Sequence, residues 1–118
     1  MDLHVGTILP GHVRGNHRHH AKSEVLITWG AQTHWRIEHP LSPGYIDVPV
    51  KETEQIAVYL PPGNGHLIRN VDTKPLYLAG CADSMFDPAA PHTDYDIWKS
   101  DKDLVPNKQG HSSVTHDE

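Results

Sequence analysis

A chain of 118 residues is one domain's length, enough for one modest core and too short for a second. Its net charge is −5 with histidines neutral, and it holds no run of five basic residues, so an electrostatic nucleic-acid binder and a protein held on anionic membranes are both excluded. The single cysteine, Cys81, allows no internal disulfide, and apolar runs such as Val25–Ile27 and Ile56–Leu60 are too short to cross a bilayer. Met1-Asp2-Leu3-His4 lacks the basic start and apolar stretch of a signal peptide. The expectation is a soluble cytoplasmic protein, with import after removal of a transit peptide left open.

In chain order, period-2 alternation dominates. Val5–Leu9 reads as a first strand, stopped by Pro10-Gly11. A second runs from about His12 to His19, and Glu24–Trp29 is a β-branched third, ended by Gly30. Thr33–Glu38 alternates, with Trp35 and Ile37 on one side. After a proline-rich loop, Tyr45–Val50 carries Pro49, which points to a sheet edge. Gln55–Leu60, His66–Asn70 and Leu76–Ala82 follow, separated by Pro61-Pro62-Gly63 and the Asp72–Pro75 turn. About eight short strands with no amphipathic helix predict an all-β antiparallel barrel or jelly roll. Asp83–Asp94 is rich in Pro and Asp and is expected to wrap the barrel. The domain is placed at residues 1–99, and the polar stretch 100–118 is read as a mobile tail.

The 11 histidines carry information through their spacing. His17 and His19 are two apart, which on a strand puts both imidazoles on one face. Glu24 follows after a gap that a tight turn can close, so the next strand brings its carboxylate alongside. His66 leads the strand after the Pro/Gly turn. Three imidazoles and one carboxylate suit Fe, Mn, Ni, Cu or Zn better than Mg or Ca, which prefer oxygen shells.

These segments resemble the two motifs of the cupin superfamily. Gly11, His17-x-His19, Glu24 and Gly30 match the first, with the last gap one residue shorter than the family's usual spacing. Pro61, Gly63, His66 and Asn70 match the second, in which Gln55 stands where a Gly is usual. The resemblance covers roughly residues 5–82. It implies a cupin (RmlC-like) double-stranded β-helix, and it implies that His17, His19, Glu24 and His66 hold a divalent transition metal (Zn, Fe, Mn or Ni). It also implies a homodimer, since a short barrel leaves apolar strand surface to cover. A finer resemblance lies in Arg14-Gly15-Asn16-His17-x-His19-His20-x-Lys22-x-Glu24, with Phe86-Asp87-Pro88, Pro91 and Thr93. This pattern is similar to cupins that act on nucleotide sugars, including the C-terminal cupin domain of capsular-polysaccharide reductases. Such relatives isomerise or epimerise keto-sugars, some with a metal and some without.

The candidates for holding a small-molecule substrate are Arg14, Arg36 and Tyr59. A guanidinium grips phosphate or carboxylate in a fork, although Arg14 could equally form a structural salt bridge. Tyr59 and Tyr77 also read as packing residues. His20 faces away from His17 and His19 on a regular strand, and a bulge could bring it in. Trp29, Trp35 and Trp98 are expected in the core or an interface, Lys22 in solvent, and Cys81 as an inert core thiol. Three functions fit: an isomerase or epimerase of a keto-sugar or similar carbonyl compound, a metal-dependent oxygenase or decarboxylase, and a non-enzymatic metal-binding module. No residue identifies a catalytic group.

Overall fold

The computed structural model describes residues 1–39, 43–83 and 93–98, together with the backbone of Val114–Thr115. Ten strands are present among these residues and no helix: β1 (Asp2–Ile8), β2 (Val13–His19), β3 (Glu24–Trp29), β4 (Thr33–Glu38), β5 (Tyr45–Val50), β6 (Ile56–Leu60), β7 (His66–Asn70), β8 (Leu76–Ala82), β9 (Thr93–Tyr95) and β10 (Val114–Thr115). They form two facing sheets. The first has the order β1-β8-β3-β6; the second runs β10-β2-β7-β4-β5, with β9 also on β2. Every pairing is antiparallel except β10 with β2, where Val114 lies opposite Val13 and Thr115 opposite Arg14.

The all-β jelly-roll architecture is therefore as expected, and β5 with its Pro49 does lie at a sheet edge. The first strand starts earlier than its apolar pattern suggested, because Asp2 and His4 continue the ladder opposite Ala82 and Gly80. Of the segment Asp83–Asp94, expected to wrap the barrel, Asp83 is described, and Thr93 and Asp94 belong to β9 on the edge of β2. Residues 84–92, and the polar stretch 100–118 apart from the short β10, lie outside the described residues.

Alternation sorts each strand into an inner and an outer face. Inside, Ile8, Leu26, Ala31, Trp35, Val50, Leu60, Ile68, Leu76 and Leu78 form one buried cluster that fills the barrel. Trp35 is fully buried, and its indole N–H donates to Thr28 Oγ1 at 3.1 Å, so the polar atom is satisfied. Asn70, also buried, donates to the carbonyls of Ile8 and Lys74 and accepts from the Asp72 N–H, which closes the turn into β8. Registers put Glu24 opposite Leu60 and Ala82, and His66 opposite His17 and Ile37. The polar interior residues thus gather at the end of the barrel away from Ile8, Thr28 and Leu76.

The outer face of the first sheet is made by Leu3, Val5 and Thr7 of β1, Tyr77, Ala79 and Cys81 of β8, Val25, Ile27 and Trp29 of β3, and Ala57 and Tyr59 of β6. None of these residues is charged. Leu3, Val5 and Tyr59 are the most open of its large side chains, and Trp29 lies against Tyr77 with ring centroids 6.0 Å apart. Cys81 is on this outer face and half-buried, not in the core as expected, because its odd position in β8 sets it opposite Leu3 and Val25.

Candidate metal centre

The strand that carries two of the expected ligands is not regular. Asn16 has φ 55° and Gly15 φ 91°, and the β2–β7 register slips between Gly15 and His17. One extra residue in a strand reverses the sense of alternation beyond it. Arg14, opposite Ile68, therefore faces the interior, and so do His17 and His19, although Arg14 and His17 are an odd number of residues apart. The bulge precedes His17, so it turns both ligands inward together and leaves His20 exposed, paired with Asp94 at 2.7 Å. Gly15 is required twice over: its φ is positive, and a Cβ there would meet the His66 ring at 3.0 Å. Asn16, 1% exposed, points outward and clasps the backbone of Trp98. Its Nδ2 donates to the Trp98 carbonyl at 2.9 Å, and its Oδ1 accepts from the Trp98 N–H at 3.0 Å.

His17, Glu24 and His66 are all buried, with ligand atoms within 4.8 Å of one another. Glu24 comes from the first sheet and the two histidines from the second. His19 stands beside them, its ring centroid 4.4 Å from that of His17 and its Nε2 3.5 Å from Glu24 Oε1. Nε2 of His19 and Nδ1 of His66 are buried with no hydrogen-bond partner. Buried polar atoms are seldom left so, and together with a neighbouring carboxylate they make a fitting cradle for a divalent cation. Burial, then the neighbouring His17, Lys22 and His20, lower His19 to about 3. Burial likewise holds His66 well below its ordinary value and raises Glu24. Neutral imidazoles are the form that ligates.

A void of about 20 Å³, of the size of one water, lies among His4, Arg14, Gly15, His17, Glu24, Leu26, His66, Ile68 and Leu78. Outside it a wider cavity of about 340 Å³ is lined by Asp2, Leu3, His4, Arg14, Lys22 and Ala82. Two further residues belong here. Lys22, expected in solvent, is half-buried at this mouth. His4, outside the expected first strand, lines both spaces, because the ladder of β1 extends to Asp2 and puts His4 on the inner face opposite Gly80. Its alternation with Gly6 and Ile8 was the available signal. His4 is held below its ordinary pKa by burial, then by Arg14 and Lys22, against a smaller opposing effect of Asp2.

The other two candidate substrate residues lie elsewhere, since strand alternation turns each away from the interior. Arg36 is on the outer face of the second sheet, 1% exposed. Its Nε donates to Asp47 Oδ1 at 2.9 Å, and its guanidinium sits 3.9 Å from the centroid of Tyr45. Tyr59 is on the outer face of the first sheet, 63% exposed. Neither lines the cavity. Trp98 packs on Val13 and Leu67 of the second sheet's outer face, while Trp35 is in the core.

A jelly roll with the two histidine motifs meeting inside one end is a cupin of the RmlC-like kind. Residues 2–94 match the polysaccharide biosynthesis C-terminal domain family, and the chain belongs to it. Among solved structures, the capsular polysaccharide assembling protein CapF of Staphylococcus aureus is 28% identical with TM-score 0.67; the match covers 79% of this chain and 27% of CapF. NovW, a 4-keto-6-deoxy sugar epimerase of Streptomyces spheroides, superposes with TM-score 0.75 at 17% identity over 98% of this chain and 60% of its own. The dTDP-6-deoxy-D-glucose-3,5-epimerase RmlC of Legionella pneumophila gives TM-score 0.72 at 13% identity, covering 98% of this chain and 64% of that one. The chain thus spans about a quarter of CapF and under two thirds of NovW and RmlC. No curated protein matches it. No helix among the described residues is long and apolar enough to cross a membrane.

Proposed function

We propose that this cupin binds a divalent transition metal through His17, His19, Glu24 and His66 and isomerises or epimerises a nucleotide-linked keto-sugar. The observation that carries the reading is the buried donor cluster lying beneath a cavity with Arg14 and Lys22 on its rim. The rim cations would hold the diphosphate, Arg14 by a bidentate fork and Lys22 as a point charge. The sugar would then reach inward toward the small void. A divalent ion, held by His17, His19, Glu24 and His66, would supply Lewis acidity to a sugar carbonyl. His4 lies between rim and centre, and its lowered pKa keeps it neutral near pH 7, able to accept a proton from the carbon next to that carbonyl. Solvent water reaching the other face of that carbon would return a proton there, and His4 would release its own to solvent, which completes the inversion with no net change in protons. The similarity to NovW and RmlC, whose substrates are keto-sugars or dTDP-sugars, supports this choice over an oxygenase.

The same reading includes a homodimer formed through the outer face of the first sheet. That face has no charge to repel a second copy, although the chain as a whole carries −5. It also includes a cytoplasmic location.

The test is metal titration of chelator-treated protein with Zn, Fe(II), Mn or Ni, followed by proton NMR of a nucleotide-linked 4-keto sugar in D₂O. Uptake of up to one metal per chain, with deuterium entering at the carbon beside the carbonyl, is the expected outcome. No metal uptake, or no deuterium entry with the loaded protein, overturns it.

A further inference from the structure

We infer that Thr93 is a positioning residue for His19: it fixes which imidazole nitrogen of His19 faces the interior and carries the lone pair. The inference rests on the proposed metal site, and it concerns a residue outside the ligand set. β9 pairs with β2 so that Thr93 lies opposite His19, Asp94 opposite Arg18 and Tyr95 opposite His17. Thr93 Oγ1 is 2.8 Å from His19 Nδ1, and this is the only hydrogen bond the described residues make to that ring. With Nδ1–H donating to Thr93, the other nitrogen is left unprotonated. That nitrogen, Nε2, is buried, makes no hydrogen bond, and is directed toward Glu24 Oε1 at 3.5 Å, beyond the length of a good N–H···O bond. A ring nitrogen with a lone pair beside a carboxylate is the arrangement that a cation completes. Hydrogen bonds from the far nitrogen of a ligating imidazole set its tautomer and orientation in general, and their loss weakens metal binding by about 10- to 100-fold.

Thr93 is itself held firmly. Asp94 bonds Arg18 at 3.2 Å and His20 at 2.7 Å, and four residues further on Asn16 clasps Trp98 from both sides. The Ile97 N–H also donates to the Asn16 carbonyl, at 3.4 Å. One outer segment therefore secures both the bulge that turns His17 inward and the ring of His19.

The test compares wild type, Thr93→Val and Thr93→Ser as full chains. Valine keeps the β-branched shape and loses the hydroxyl; serine keeps the hydroxyl. Zinc affinity is measured by competition with a chromophoric chelator, and the His19 tautomer of metal-free protein by ¹⁵N-imidazole NMR. The expected result is a proton on Nδ1 of His19 in wild type and in Thr93→Ser, and a mixed or reversed tautomer in Thr93→Val. Zinc binding should weaken about 10- to 100-fold in Thr93→Val and change by less than about threefold in Thr93→Ser. A wild-type His19 protonated on Nε2, or a Thr93→Val protein with wild-type tautomer and zinc affinity, overturns the inference. If wild type takes up no zinc, the metal reading fails, while the tautomer comparison still decides the role of Thr93. If Thr93→Val does not fold, the wild-type tautomer and the behaviour of Thr93→Ser decide it.

Discussion

Replacing Asn16 by alanine should be among the most damaging single changes outside the core, and a companion glycine variant divides the reasons. Asn16 is 1% exposed and makes two side-chain bonds to the Trp98 backbone. Losing a hydrogen bond whose partner stays buried costs about 1–3 kcal/mol, and the half-buried position of Trp98 puts the pair at about 2–3 kcal/mol. Asn16 also sits at φ 55°, where a non-Gly residue without a short polar side chain is strained by about 1–2 kcal/mol. Asn16→Ala should therefore lose about 3–5 kcal/mol. Asn16→Gly removes the same bonds but tolerates the backbone, so it should lose about 1–2 kcal/mol less than alanine. Urea denaturation read by tryptophan fluorescence measures both. Equal losses in the two variants would show that the left-handed residue stores no strain. A loss below about 1 kcal/mol in either would show that the clasp does not hold the bulge.

Three further outcomes follow from the same structure. Arg14→Ala should weaken nucleotide-sugar binding by at least tenfold while metal content stays at its wild-type level, checked by calorimetry and elemental analysis; undiminished binding removes Arg14 from the rim. Metal-free protein should lose stability as pH falls below about 6.5. There the unfolded chain protonates His19 and His66 while the folded chain, with His19 lowered to about 3 and His66 also lowered, does not. Each such histidine gives a slope of up to about 1.4 kcal/mol per pH unit, opposed in the acid range by Glu24, whose raised pKa favours the folded state on protonation. A melting temperature flat from pH 7 to 5 would refute this. Ile27→Lys, at the centre of the uncharged outer face, should shift the protein from dimer to monomer in light scattering, with little change in secondary structure; a wild type that is already monomeric sinks the proposed interface.

The fold was legible because turn residues and alternation coincide in nearly every strand, and Glu24–Trp29, Thr33–Glu38, Tyr45–Val50, His66–Asn70 and Leu76–Ala82 stand where the pattern put them. The donor spacing was legible because both motifs border turns, but local geometry places only His17 and His19; His66 reaches them through the β2–β7 ladder and Glu24 from the opposite sheet. The bulge at Gly15–Asn16 was not legible, since Arg14-Gly15-Asn16 reads as well as a regular strand, and only its pairing with β7 and the distant Trp98 imposes φ > 0. Arg36 and Tyr59 stand on outer faces for the complementary reason. Alternation says that neighbours face opposite ways, but not which way is in; a buried arginine held by Asp47 and Tyr45 on an outer face leaves no mark in the sequence. His4 was missed because polar residues blurred the start of β1.

Glu24 belongs to one layer of the sandwich and His17, His19 and His66 to the other. Their mutual distances are consequently a gauge of the gap between layers, set by the side chains that prop it open from below. Leu26 lies two residues along β3 from Glu24, and Ile68 two along β7 from His66, each on the same inner face as its neighbour. Changing the volume of either spacer would alter the span between carboxylate and imidazoles without touching a donor. For the proposed metal site, the hydrophobic filling of this barrel would thereby act as the shim that sets the span between its donors.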